Sequence, residues 1–513
     1  MIRMRRILPA VAAVAVVAAA ACNNDKITSV NNNPNDPTTA PIPAVFTNGV
    51  QSAVANWLGS GYDLRDISLV IQHLAENQYI SNDQYKGVSS TSQNTLFGSI
   101  YQNSLEDFQV VVRAGKAADD ETVWAPASIM QQWEYGYLTD TWGDVPYSQA
   151  LAVDSSVPIT APAYDPQQQI YAGMMAKLQE AATALDGDTA SSLGAADPIY
   201  HGNKASIVKW QRFANSLHAR DALRIVNADP ATANTELKAA FTAPGGVFTS
   251  NADNAELVWP GDGVFNNPWA TNFASRDDDR MSKTLIDTLN HYNDPRVSIY
   301  AMPAAATGLY AGQPNGLTNA TAVAYSDTAS RPGAIFYPGP VPYGAGVYGG
   351  SGNSYPSYLM TYAEVALIEA EAAERGLGGL AAADAKKYYE AGITASMKQW
   401  GVTSDAAIAA YIAQPAVAYQ GGVAGQKQIA LQKWIALYGD AGQAWAEWRR
   451  TCTPNLVIAV NHLFPYIPRR IKYPTSELSA NNEQVQIAAT RMGGDANDTH
   501  VWWDKTSAAP TCQ

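Results

Sequence analysis

The residue types that carry nucleophilic or metal chemistry are thinly supplied in this sequence. No G-x-S-x-G, H-E-x-x-H, P-loop or C-x-x-C occurs, and the six His are scattered. Carboxylates are abundant, so a hydrolase acting through two of them across a glycosidic bond stays open as an alternative reading. "SRDDDRMS" (275–282) raises a calcium site, because hard cations take several carboxylate oxygens. Three consecutive aspartates point in different directions, however, and they also suit the positive end of the helix expected next. Neither metal nor cofactor is therefore expected, and the chain is not read as an enzyme. Aromatic rings standing in polar, Gly/Pro-rich segments are better candidates. Tyr79 and Tyr85 lie in "YISNDQYKGVSSTSQNTLFGS" (79–99), Trp259 and Trp269 flank "PGDGVFNNP", and Tyr337 and Tyr343 lie in "GAIFYPGPVPYGAGVYGGSGNSYPSY". Flat ring faces stack on sugar rings or apolar groups and tolerate water when empty. Asn266, Asn267 and Arg276 would add hydrogen bonds. Two or three of this set are expected to touch ligand; each also has a competing reading as loop packing.

Such loops need a rigid scaffold, and the flanking segments supply helices. Apolar residues recur at i, i+3, i+4, i+7 in Trp210, Phe213, Ala214, Leu217 and in Leu359, Tyr362, Ala363, Ala366. Tyr388, Ala391, Gly392, Ala395 and Leu431, Trp434, Ile435, Tyr438 repeat the spacing, as do Ala441, Ala444, Trp445, Trp448. Small residues alternate with Tyr and Trp on these faces, so helices can approach closely, as in tetratricopeptide-type pairs. Segments 357–375 and 381–400, joined by a Gly-rich turn with Gly376 as stop, form the clearest αα-hairpin. Residues 243–356 have little periodicity beyond a short helix near 281–292. A loop-rich stretch this long is usually functional. The fold class is thus mostly α: tetratricopeptide-like helix pairs as scaffold, with a large irregular ligand-facing region. Asp144 in "GDVP" (143–146), the Asp294-Pro295-Arg296 turn, and Arg469, Arg470, Tyr473 and Glu477 read as structural.

The start of the chain is organised differently. Arg3, Arg5 and Arg6 precede an uncharged stretch, Ile7–Ala21, of about fifteen residues, shorter than the roughly 20 that span a bilayer. Small residues then lead into Cys22, and the chain turns polar at once. This resembles a bacterial lipoprotein signal (1–21), in which Cys22 is lipidated; three acyl chains anchor durably. Residues 22–42 read as a tether, and 43–513 as a single domain divided into 43–242, 243–356 and 357–513. The full chain carries 33 basic and 46 acidic residues, −13; without the leader's three arginines the balance is −16. That opposes nucleic-acid binding and charge-driven adhesion to anionic membranes, so membrane contact is expected through the lipid alone. Hydrophobic content of 47% is that of a globular chain. Two cysteines then remain, Cys452 and Cys512, and are expected to pair in an oxidising compartment.

Seven blocks in order resemble the SusD/RagB family of nutrient-binding outer-membrane lipoproteins. They are "TDTWGDVPYSQA" (139–150), "KWQRFANSLHARDALRI" (209–225), "MSKTLIDTLNHYNDPRVSIYA" (281–301), "YPSYLMTYAEVALIEAEAAERG" (355–376), "YYEAGITASMKQWG" (388–401), "IALQKWIALYGDAGQAWAEWRRTCTP" (429–454) and "IPRRIKYPTSELSANNEQV" (467–485). The resemblance implies a cell-surface lipoprotein that captures glycans or other oligomers. It would deliver them to a SusC-like TonB-dependent transporter in the outer membrane and act as that barrel's lid. A periplasm-facing scaffold lipoprotein that binds peptides is the alternative.

Overall fold

Helices begin where a side chain caps them and lengthen where they find partners. In the computed structural model the described residues are 40–88, 93–152, 159–185 and 189–505. The leader, Cys22, most of the tether and Cys512 lie outside them. From Ile42 onward the chain packs as one unit. Its first half runs through α1 (Ile42–Trp57), α2 (Leu105–Ala117), α3 (Glu121–Trp142), α4 (Gln167–Ala184), α5 (Lys204–Arg224) and α6 (Pro230–Thr242). From α2 on, each helix packs on its predecessor, giving antiparallel neighbours. Asp120 opens α3 by accepting the Thr122 N–H at 3.1 Å, and Asp229 opens α6 ahead of Pro230 in the same way. Trp210, Phe213, Ala214 and Leu217 of α5 are buried together, as their spacing requires.

The second half holds α7 (Lys283–His291), α8 (Tyr362–Glu374), α9 (Ala385–Gln399), α10 (Asp405–Ile412), α11 (Gly422–Ala436), α12 (Ala441–Thr451) and α13 (Asn482–Met492). α8 and α9 form the expected hairpin, and α8 also packs on α5, joining the halves. Gly376 sits at φ +66°, where its N–H bonds Ala373 and the next N–H bonds Ala372, closing α8 in a Schellman motif. Gly392 lets α9 approach α8: a Cβ there would lie 2.6 Å from Leu367. Two details differ from the sequence reading. α8 starts five residues late, because Thr361 caps it by accepting the Glu364 N–H at 3.2 Å and Ser357–Met360 is a strand. The buried face of α9 passes through Tyr389 and Ile393, with Tyr388 and Ala391 half-buried beside it.

A buried ionic knot ties α5, α8, α11 and α12. Glu447 takes Arg224 at 2.9 Å, Lys433 at 3.2 Å and Arg450 at 2.7 Å, and Arg450 also holds Glu371. Burial pushes the Glu447 carboxyl up, but Arg450, Lys433 and Arg224 together outweigh it and hold it far below the ordinary carboxylate value.

The intervening region is stitched by short antiparallel strand pairs. These include β1 (Leu74–Glu76), β2 (Ala255–Leu257), β3 (Asp279–Met281), β4 (Arg331–Pro332), β5 (Val341–Tyr343), β6 (Gly346–Tyr348) and β7 (Ser357–Met360). β1 pairs with β3, β2 with β7 and β5 with β6. Asp144 reaches farther than its own turn: it accepts the Gln167 N–H at the start of α4 at 2.7 Å and Arg491 at 2.5 Å. Arg469–Asp504 (2.8 Å), Arg470–Asp495 (2.6 Å) and the Tyr473 hydroxyl donating to Asp144 O (2.6 Å) fasten the C-terminal segment. Tyr164 donates to Glu477 at 2.7 Å. Cys452 is disulfide-bonded, with its partner outside the described residues.

In the Asp294-Pro295-Arg296 turn the side chains of Asp294 and Arg296 are fully enclosed. Arg296 donates to Asp294 at 2.9 and 2.6 Å, to Ser396 of α9 at 2.9 Å and to Gln432 of α11 at 2.9 Å. Removing one partner of such a pair strands a buried charge. Asp294→Ala is expected to lower unfolding free energy by about 3–5 kcal/mol in urea titrations. Lys283→Ala, which breaks the exposed Lys283–Asp287 pair, shifts it by less than about 0.5 kcal/mol.

Candidate functional site

The candidate residues fall into two groups. Tyr85 is 1% exposed; its hydroxyl accepts the Ala459 N–H at 2.8 Å, and burial pushes its pKa up to about 12. Trp259, also buried, donates to Ser357 Oγ at 2.9 Å. Asn267 caps the short helix Pro268–Phe273 by accepting the Trp269 N–H at 2.8 Å, and Asn266 accepts the Gly263 N–H at 3.1 Å within its own loop. Trp269 packs inward, with Phe336 at 4.7 Å between ring centroids. These five brace loops. Gly- and Pro-rich segments have few aliphatic side chains, so the rings supply their core.

Arg276 and Tyr337 line one groove of about 360 Å³, together with Phe273, Ala274, Asp277, Arg331 and the run on to Pro342. Tyr79 and Tyr343 lie against its two arginines, and of the three tyrosines only Tyr79 is exposed. The groove floor is the Phe273–Tyr337 stack, with centroids 4.7 Å apart and planes at 13°. Pro338, Pro340 and Pro342 make the wall stiff, because each fixes its own φ. Gly339 faces open space in that wall. At the rim Tyr79 is 66% exposed, and its backbone is in the left-handed region at φ +54°. Tyrosine adopts that conformation only where its surroundings impose it. The Arg276 guanidinium lies 4.9 Å from the Tyr79 ring centroid, within cation–π range.

Both groove arginines are held from behind. Arg276 donates through Nε to both Asp278 oxygens at 3.1 Å, and Asp278 raises its pKa further. Arg331 pairs with Asp277, and its guanidinium lies 4.2 Å from the Tyr343 ring centroid. The Tyr343 hydroxyl is fixed by donating to Ala329 O at 2.8 Å. The three aspartates of "SRDDDRMS" therefore meet arginines and a strand rather than a helix end: Ser282 caps α7, and Asp279 already belongs to β3. Sequence reasoning missed Phe273, Asp277, Arg331 and the proline wall. The alternating prolines in "YPGPVPYG" were the available signal.

Below the groove, β1 places Glu76 directly opposite Asp279 of β3. Both are buried, and Glu76 Oε1 and Asp279 Oδ1 have no hydrogen-bond partner among the described residues. Burial, then Asp279 and Asp83, push Glu76 up to about 9; burial, then Asp278, push Asp279 up to about 7. Arg65 reaches both Glu76 and Asp278 at 3.6 Å.

No curated protein sequence matches the chain. Among solved structures, a chitin-binding protein is 29% identical, with a TM-score of 0.75 over 90% of this chain and 99% of its own. A chitin-binding SusD homologue from Flavobacterium johnsoniae is 27% identical, with a TM-score of 0.76 over 91% of this chain and 99% of its own. A SusD homologue from Parabacteroides distasonis, 24% identical, shares the fold with a TM-score of 0.76 over 91% and 98%. The sequence profile of the SusD-like family, described as starch-binding and associating with the outer membrane, matches residues 34–474. With its mostly helical architecture and that match across most of its length, the chain belongs to the SusD/RagB family.

Proposed function

We propose that this protein captures oligosaccharide chains at the cell surface in the Tyr79 groove and delivers them to a SusC-like TonB-dependent outer-membrane transporter, whose lid it forms. The observation that carries the reading is Tyr79: an exposed ring on a left-handed backbone, backed by Arg276 beside an open groove. A sugar ring stacks on such a face, and the groove arginines bond its substituents. The chitin-binding relatives support a glycan as the ligand.

Capture proceeds without chemistry. A glycosidase sets two carboxyl groups across the scissile bond. Asp277 is the one carboxylate among the described residues lining the groove, and Arg280 and Arg331 both hold it. Stacking plus a few hydrogen bonds gives micromolar-type affinity, about −8 kcal/mol, weak enough to release into the barrel. Lipidated Cys22 tethers the protein to the membrane and lets it swing as a hinged cover.

Titration with chito-, malto- and pectic oligosaccharides tests the site. At least one binds, and Tyr79→Ala weakens it by about tenfold or more, about 1.4 kcal/mol. Thermal unfolding of Tyr79→Ala stays unchanged because the ring is exposed. Tyr85→Phe strands the Ala459 N–H and costs about 1–3 kcal/mol of stability, while affinity is kept. Equal affinity in Tyr79→Ala and the wild-type protein sinks the site.

The partnership is tested separately. The tagged lipoprotein, purified from solubilised outer membrane, is expected to bring down a large TonB-dependent barrel, and protease added to intact cells is expected to reach it. Recovery alone points to a stand-alone binder. Protection from protease, with periplasmic proteins recovered, points to the scaffold.

A further inference from the structure

Resting on the groove as the glycan site, we propose that its ligand is an acidic glycan. Carboxylate or sulfate groups on the sugar chain accept hydrogen bonds from Arg276 and Arg331 while a neighbouring sugar ring stacks on Tyr79. Three observations carry this.

The first is unused donors. Arg276 spends Nε and Nη2 on Asp278, and its Nη1 has no protein partner among the described residues. Arg331 spends Nη2 on Asp277; its Nε is buried without a hydrogen bond, and its Nη1 is likewise unused among the described residues. Guanidinium N–H groups are donors only, so their complement is an acceptor, best a charged one in a fork geometry.

The second is sign. The chain as a whole is strongly acidic, yet four arginines converge here: Arg65, Arg276, Arg280 and Arg331. Two aspartates serve all four, Asp277 taking Arg280 and Arg331 and Asp278 taking Arg276 and Arg65. The two carboxyl groups behind them, Glu76 and Asp279, face each other across the strand pair in the protein interior. Two carboxylates so placed cannot both ionise cheaply, so at least one carries a proton and adds no negative charge. Asp83 lies deeper, satisfied by Asn315 and Gly316, and Asp327 is exposed to solvent beyond Tyr343. Four guanidiniums thus stand against Asp277, Asp278 and at most one charge shared by Glu76 and Asp279, and the groove lining itself shows Arg276, Arg331 and Asp277.

The third is rigidity. Each groove arginine is clamped by one aromatic ring and one aspartate: Arg276 by Tyr79 and Asp278, Arg331 by Tyr343 and Asp277. A guanidinium already fixed in place loses little freedom when it takes an anion.

The test is calorimetric titration of the folded, soluble protein with length-matched oligomers: oligogalacturonate for carboxylate, a carrageenan-type oligosaccharide for sulfate, and chito- and maltohexaose as neutral sugars. At least one acidic oligomer is expected to bind about tenfold tighter than either neutral one, with affinity falling as salt rises from about 50 to 300 mM. Which acidic oligomer wins identifies the anion. Arg331→Gln is expected to cost the acidic ligand about tenfold. Arg276→Gln, at a half-exposed position, provides a second variant should Arg331→Gln unfold. Tighter binding of a neutral hexaose, abolished by Tyr79→Ala, overturns the acidic class and leaves the glycan site standing. Binding of no oligosaccharide at all removes the glycan site and this inference together.

Discussion

Everything the groove does depends on a column of aromatic rings that carries it down to the helix pairs. The Phe273–Tyr337 floor rests on Trp269, whose ring meets Phe273 edge-on at 6.2 Å and Phe336 at 4.7 Å. Phe336 meets Tyr438 at 5.9 Å, and Tyr438 stacks on Tyr300 at 4.4 Å, with Trp400 closing on Tyr300 at 4.8 Å. Trp400 follows α9 directly and Tyr438 follows α11 by two residues, so the column ends in the scaffold. Each such contact contributes about 0.5–1.5 kcal/mol beyond the area it buries. In loops with so few aliphatic side chains these rings supply the apolar packing that the strand pairs and prolines cannot. The same constraint explains why ring content alone does not separate a binding face from a brace: one residue type serves both, and burial decides.

The helical scaffold was legible because helix periodicity is a local signal. Trp210, Phe213, Ala214 and Leu217, like Ala441, Ala444, Trp445 and Trp448, are buried as read. The misreadings fall where a local signal was cut short. Leu359 kept the helical spacing by coincidence across a boundary that Thr361 sets by capping. Tyr388 and Tyr389 are adjacent, and only the packing partner decides which one turns inward. The aspartates of 277–279 read as a helix entrance because the three-residue strand that starts at Asp279 and precedes α7 is too short to leave a period.

The candidate site was half legible. Tyr79, Arg276, Tyr337 and Tyr343 could be picked out as rings and a cation in polar loops, and the fold does gather them. Of the candidate rings only Tyr79 is exposed; Tyr337 and Tyr343 are buried as groove floor and backing for Arg331, and Tyr85, Trp259 and Trp269 are buried away from it. Nothing local distinguishes Tyr79 from Tyr85: both have positive φ and both sit in one loop. The difference is the strand of chain through Ala459 that covers Tyr85, more than 370 residues away. Phe273 and Arg331 escaped notice for the same reason, since their roles exist only once distant loops close on one another.

The charge arrangement follows from the same closure. An acidic chain keeps itself soluble and has no general reason to collect guanidiniums. Here four of them share two aspartates because β1 and β3 pair in one register, which sets Glu76 across from Asp279 and turns Arg280 to the opposite face. Along a strand, alternate residues face opposite ways. Asp279 thus goes down toward Glu76, while Arg280 turns toward Asp277 and the Ser326 carbonyl. A slip of one residue would exchange the two, bury a guanidinium against Arg65 and release Asp277 from its second partner. The charge arrangement behind the groove therefore follows from strand register, fixed by the three residue pairs of β1 and β3.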